Sequence, residues 1–445
     1  MRLWPSAPRR TALVLHQLGP AARGTGNITV ARAPLFVAGA LALGYLLLLG
    51  TVVDPLLPGH GNWDKPWDHQ KYLAMAEQPL DLRIAPFSWR LLGPLIAGIL
   101  PFSISTSFRI TASLAVWLTA VAMFVLLRRL GHRDVLATVG MLLCLSLWWV
   151  AGYPLYNFWL PDALVYLSVL VLAIAAGDRR PVLFAIVLVV GVLAKEQVLI
   201  AAPLWYGLRT GRLFDGRRLA EMVAVAFPAL VLLVAVRIIL PAGNTDPAYL
   251  AQLGLALNVY DQLPPDPQVL FQKFGTLRLP AYRVLTQEWT SNAFGVLPLL
   301  GLAALPRSLV TLARWAPFIV LVYAQPMLAA NTTRLIALAF PVIVILAVDG
   351  LAAIQNRLAL PDLSLLAGAG SLLGGDLLAG SRTGAPVHEA LLLAVTMASA
   401  AVLARIASPF GRSRPSAIAK SDAALVMAPT QPQGWRALLQ CVRQR

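Results

Sequence analysis

Long apolar runs separated by short charge-bearing segments fill most of this chain. They fall near residues 34–53, 109–127, 135–151, 162–176, 181–194, 197–208, 219–240, 293–306, 315–330, 335–355 and 386–407. A weaker Gly-rich run, 363–380, carries Asp376 and suits an interfacial position as well as a span. Several runs are shorter than the roughly 20 residues a straight span needs, which is tolerated where neighbouring protein or a wet cavity covers the ends. The pattern predicts an all-α polytopic membrane protein with about eleven transmembrane helices and a large first outer loop carrying interfacial helices.

Composition removes the soluble alternative. Hydrophobic residues make up 58% of the chain, charged residues 13%, and the mean hydropathy is +0.71. A soluble protein of 445 residues has too little interior to hide that much apolar surface. The net charge of +16 is not a nucleic-acid signal, because the arginines sit in short clusters between apolar runs. There they set topology and meet anionic headgroups of membrane lipids. Cys144 lies in an apolar run and Cys441 near the end, so neither a disulfide framework nor a Cys-based metal site is expected. Residues 1–33 are basic and lack the pattern of a cleaved signal, which makes the first helix a retained anchor.

Charge parity then orients the spans. With the N-terminus in the cytoplasm, the inside loops receive Arg128, Arg129 and Arg133, then Arg179 and Arg180, then Arg209, Arg212, Arg217 and Arg218, then Arg307 and Arg314, then Arg357. This requires 181–208 to be two short helices with Lys195-Glu196 at their outer turn. The opposite face collects the loop 54–108, the turn from Tyr153 to Asp162, the Lys195-Glu196 turn, the loop 241–292 and the turn Asn331 to Arg334. The chain thus divides into a basic cytoplasmic segment (1–33), a transmembrane domain (34–407) and a basic tail (408–445) whose composition predicts disorder.

The outer loops carry the candidate chemistry. Five of the chain's 20 acidic residues lie between 54 and 94 (Asp54, Asp64, Asp68, Glu77, Asp81), mixed with Lys65, Lys71, Arg83, Arg90, three tryptophans and Tyr72. Asp68 begins a helical stretch, where it serves as an N-terminal cap or as a carboxylate taking a proton from an acceptor hydroxyl. Asp64 is the second-choice base. Arg90, after Trp89, either snorkels to headgroups or clamps a phosphate with its forked donors. Lys195 and Glu196 put a cation and an anion between apolar runs, a costly placement unless they face a wet cavity or each other. Arg334 follows the same logic, with interfacial anchoring as its rival role. Asp162, after Pro161, reads first as a helix cap favoured by the N-terminal dipole. The histidines show no ligand spacing. His60 and His69 beside Asp64 and Asp68 are the one set suited to a divalent metal, and no cofactor is expected. Nothing in the chain suggests a nucleotide or nucleic-acid site.

These segments resemble a known group. Asp68-x-x-x-Tyr72-x-x-x-Ala76, the stretch Ala85 to Pro94 (APFSWRLLGP), Gly191 to Ile200 (GVLAKEQVLI) and Asn331 to Pro341 (NTTRLIALAFP) are similar to bacterial GT-C-type polytopic glycosyltransferases, in particular a GT-C-like branch with a P-F-x-x-R motif. The resemblance covers roughly residues 34–355. It implies an enzyme of the bacterial cytoplasmic membrane that moves a sugar from a polyprenyl-phosphate donor to a lipid or cell-envelope glycan acceptor on the outer face. On that reading Asp68 is the base with Asp64 as its alternative, Arg90, Lys195 and Arg334 steady the phosphate, and Glu196 orients Lys195 or the acceptor. Tyr72, Trp67 and Trp89 stack on sugar or anchor the loop. The competing readings are a flippase for lipid-linked glycans and an inactive relative. A flippase should show mid-depth paired charges and an internal repeat, and the sequence shows no convincing repeat.

Overall fold

The computed structural model describes residues 32–53, 68–81, 84, 86–209, 214–240, 290–325, 332–379 and 386–407. The described residues form helices and turns only. In chain order the main helices are α1 (Arg32–Val52), α2 (Asp68–Glu77), α3 (Leu92–Ile99), α4 (Ile104–Arg129), α5 (Asp134–Leu145) and α6 (Asp162–Gly177). They continue with α7 (Pro181–Ala194), α8 (Gly216–Ile239), α9 (Leu305–Ala324), α10 (Phe340–Leu358), α11 (Asp362–Ala379) and α12 (Pro386–Ala407).

Among the described residues, five stretches are helical, long and apolar enough to cross a membrane: Arg32–Val52, Ile104–Arg129, Gly216–Ile239, Leu297–Ala324 and Thr333–Leu358. This corrects the expected count of about eleven. Three of the other apolar runs fold into shorter helices, α5, α6 and α7, of 12, 16 and 14 residues. The run 197–208 makes a 3₁₀ stretch, Glu196–Ala201, and a single turn, Leu204–Gly207. An apolar run reports burial, while a span also needs an unbroken hydrogen-bond ladder, and here the ladder breaks at Lys195 and again beyond Leu145. Neighbouring helices cover such breaks, so short pieces survive inside a bundle.

Local signals explain the helix limits. Ser103 caps α4 by accepting a hydrogen bond from the Thr106 amide, and Arg128 and Arg129 occupy its last turn, where the helix dipole favours cations. Asp215 caps α8 through the Arg218 amide. Pro181 and Pro341 stand in the first turns of α7 and α10, where a missing amide hydrogen costs nothing.

Burial separates core from rim. In the most apolar 18-residue window of Thr333–Leu358, 94% is buried within the protein, against 17% in that of Gly216–Ile239, which turns most of its apolar surface outward. α10 is therefore the central helix and α8 a peripheral one. At Gly350 the backbone of residues 300 and 301 lies so close that a Cβ would collide with the Leu300 carbonyl oxygen. That approach seats the chain leading into α9 directly on α10. α1 is tied in by the Trp117 indole, which donates to the Gly39 carbonyl at 2.9 Å.

The directions of the helices bring the site together. Arg129, ending α4, pairs with Asp178, just past α6, so these two helices run parallel. Their N-terminal ends consequently lie at one end of the bundle. α6, with 16 residues, is about 24 Å long, so Asp162 at its start is far from the Arg129–Asp178 pair. α2 and α3 pack together over the N-terminal end of α4, with the Ala76 carbonyl against Gly98 at a spacing that admits no Cβ.

Candidate functional site

Five charged side chains from four separate segments meet at the end of the bundle where α4 and α6 begin. The first contribution comes from the Phe87–Trp89 3₁₀ turn, which ends with the Arg90 amide donating to the Phe87 carbonyl. Arg90 reaches Glu196 with both edges of its fork, Nε to Oε2 at 3.1 Å and Nη2 to Oε1 at 2.6 Å. Its remaining Nη1 donates to the Tyr72 hydroxyl at 3.3 Å. Burial works to raise the Glu196 carboxyl, but the Arg90 charge and hydrogen bond, with Lys195, hold it at about 2. Burial pushes the Tyr72 hydroxyl up to about 12 against the pull of Arg90, so it stays a neutral partner.

Lys195 and Glu196 do not pair with each other. Lys195 ends α7 with extended backbone, φ −165° and ψ 133°, and successive side chains on extended backbone point to opposite sides. Glu196 turns to Arg90, while Lys195 turns to Asp162, its Nζ donating to Oδ1 at 2.9 Å. The other Asp162 oxygen lies 2.9 Å from Arg334 Nε. Arg334 Nη1 donates to the Tyr153 hydroxyl at 3.4 Å, and its guanidinium stands 5.7 Å from that ring's centre. Asp162, Lys195 and Arg334 have side chains only 3%, 6% and 13% exposed.

Of the residues the sequence singled out, Arg90, Lys195, Glu196, Arg334, Tyr72 and Asp162 are brought together. Pro161 rather than Asp162 holds the cap position of α6; Asp162 is the first helical residue, and its carboxylate is the shared counter-ion of two buried cations. Asp68 is the first residue of α2, half-buried, one turn before Tyr72 and so on the same helical face. Its charge is felt at the hydroxyls of Tyr72 and Tyr153. Asp64, Trp67 and His60 lie outside the described residues. Trp89 is turned away from the cluster: its indole donates to the Leu240 carbonyl at 3.0 Å, and Arg237 stands over its ring at 4.5 Å. It ties the loop to the end of α8.

Three participants were missed in the sequence. Tyr153 lies in the turn already marked for Asp162, and its hydroxyl holds Arg334. Tyr166 lies one turn into α6 from Asp162. Lys71 is 1% exposed with its ammonium 4.3 Å from the Phe87 ring centre. A polar tip within an otherwise apolar run was the only available signal for each tyrosine. His69 is also on the buried face of α2, 5.3 Å from the Trp159 ring, and burial lowers its imidazole below the usual value, opposed by Asp68. Among the described residues no group of three or more metal-ligating side chains occurs.

The arrangement has a surplus of positive charge. Arg90, Lys195 and Arg334 face two carboxylates, Asp162 and Glu196, while Lys71 and Asp68 on α2 add one charge of each sign. Fixed cations in a water-poor setting stabilise an anion far better than the same groups in water. A carboxylate, Asp68, stands beside them at the start of α2. No protein-family model, curated protein or solved structure matches this chain.

Proposed function

We propose that this chain is a glycosyltransferase of the bacterial cytoplasmic membrane, taking a sugar from a polyprenyl-phosphate donor and passing it to a lipid or cell-envelope glycan acceptor. The observation that carries the reading is the buried cationic surplus formed by Arg90, Lys195 and Arg334 around Asp162 and Glu196. Displacing a phosphate from an anomeric carbon builds negative charge on the leaving oxygen, and cations already in position stabilise it without reorganisation. Asp68 takes the proton of the acceptor hydroxyl as that oxygen attacks the anomeric carbon; the bond from carbon to phosphate oxygen breaks, and polyprenyl phosphate leaves. The sequence resemblance to GT-C-type enzymes supports the same assignment. A lipid donor reaches such a site sideways from the bilayer, which suits a cluster at one end of a helix bundle.

The test is purified protein in liposomes with a radiolabelled polyprenyl-phosphate sugar and an acceptor extract. Asp68→Asn should lower transfer by about 100-fold or more, the usual worth of a positioned general base. Transfer that survives in Asp68→Asn and in Asp64→Asn removes the base assignment. Donor movement between leaflets without transfer would favour a flippase.

A further inference from the structure

The five charges divide into two unequal halves. Each Arg90 nitrogen has a partner, Nε and Nη2 on Glu196 and Nη1 on Tyr72, and Glu196 matches its charge, so this half is neutral as it stands. The other half has one carboxylate for two cations. Asp162 compensates both Lys195 and Arg334, and among the described residues neither of them has a second carboxylate within ion-pair distance. Lys195 offers three donors and uses one on Asp162. Arg334 reaches its tyrosine only at 3.4 Å. The whole surplus of the five-charge cluster therefore sits beside Asp162.

A second observation points to the same place. The Tyr166 hydroxyl is buried, on a residue 3% exposed, and has no hydrogen-bond partner among the described residues. Tyr166 is four residues after Asp162 on α6, on the same face of the helix. Its ring stands edge-on to Phe340, 5.6 Å between centres, and Phe340 begins α10 just after the Arg334 turn. A buried hydroxyl without a partner is costly, and a ligand oxygen would satisfy it. The backbone amides at the start of α6 also face anions favourably.

We propose that the phosphate group binds in the Asp162 half, between Lys195 and Arg334 and within reach of the Tyr166 hydroxyl, while Arg90, closed by Glu196, is a positioning residue that holds the α2 loop. A phosphodiester carries one negative charge at neutral pH, which matches the one uncompensated cation. That this phosphate belongs to a sugar donor rests on the transferase reading; where it binds does not.

The test measures binding of polyprenyl methyl phosphate, a phosphodiester of one negative charge like the donor, and of the uncharged polyprenol to the purified full chain in nanodiscs. The wild type should prefer the phosphate by at least tenfold. Lys195→Gln should lose most of that preference. Tyr166→Phe, which removes one oxygen and should leave the fold intact, should weaken phosphate binding about fivefold to tenfold with polyprenol binding unchanged. In Arg90→Gln the preference should fall with the melting temperature, and adding Glu196→Gln should restore both, because the neutral pair leaves no lone buried charge. The proposal is overturned if the wild type shows no phosphate preference, if Tyr166→Phe and Lys195→Gln both keep it, or if the Arg90→Gln/Glu196→Gln pair lacks it while melting like the wild type. Phosphatidylglycerol competing as well as polyprenyl methyl phosphate would overturn the assignment to a lipid-linked donor. A wild type that binds the phosphate but transfers no sugar would leave this subsite standing and remove the transferase reading.

Discussion

Each end of the bundle holds a carboxylate sealed to a few per cent exposure, and the two are compensated differently. At the end where α4 and α6 begin, Asp162 is shared by Lys195 and Arg334, both nearly buried. At the other end, Asp349 on α10 lies 2.9 Å from Arg307 Nε and 3.5 Å from His132 Nε2. Burial and the charge of Arg307 push His132 down to about 4, so it is neutral at pH 7, and among the described residues Arg307 is the one cation facing Asp349 there. Arg307 is 59% exposed and keeps its own contact with water. Around Asp349 the nearby ions pair locally: Arg128 with Asp134, Arg129 with Asp178, and Arg133 with Asp362, which also accepts from Gln355 at 2.7 Å. At this end the excess cations stay exposed, as Arg180 does where it shares Asp178 with Arg129, and the sealed Asp349 faces a half-exposed arginine. The other end leaves a cation over, and an unbalanced buried charge costs stability unless something else completes it.

The largest expected effect breaks the comparison directly. Asp162→Asn leaves Lys195 and Arg334 buried without a counter-ion, and removing one partner of a buried ionic group costs about 3–5 kcal/mol. Its melting temperature in detergent should collapse. Asp349→Asn should cost only about 1 kcal/mol, since Arg307 can turn to water. Equal losses in the two variants would show that the ends are not different in kind.

A pH titration compared between the wild type and the Arg90→Gln/Glu196→Gln pair isolates the share of the Arg90–Glu196 half. The Glu196 carboxyl is held below its unfolded value of 4.5, at about 2, so its contribution is fully present above about pH 4.5 and fades as pH falls toward 2. Thermal melts of the wild type should therefore lose stability across that window, and the Arg90→Gln/Glu196→Gln pair should show a shallower loss. The smallest effect is expected at Trp89, which lies beside the cluster and outside it. Trp89→Phe removes one hydrogen bond to the Leu240 carbonyl and weakens the Arg237 contact, about 1 kcal/mol together, with the phosphate preference intact.

The sequence made part of this legible, and the boundary is physical. A charge inside an apolar run is conspicuous, which is why Lys195, Glu196 and Arg334 stood out. Their partners were not readable: Arg90 and Glu196 are 106 positions apart, and nothing local announces that pair. The adjacency of Lys195 and Glu196 suggested a mutual contact, while the extended backbone at Lys195 sends them to different partners. Tyr153 and Tyr166 were hidden because an aromatic ring fits an apolar run whether or not its hydroxyl has a task. The all-helical class followed from hydropathy, but the number of spans did not. Hydropathy marks 197–208 as a run and is silent on the 3₁₀ geometry that it adopts.

The measurement that bears most directly on the account is sugar transfer by the wild-type chain in liposomes containing labelled polyprenyl-phosphate sugar and acceptor. The account predicts that label passes to the acceptor with release of polyprenyl phosphate, and that Lys195→Gln and Asp68→Asn each suppress it. Label that remains on the polyprenyl carrier, with the donor merely redistributed between leaflets, would contradict it.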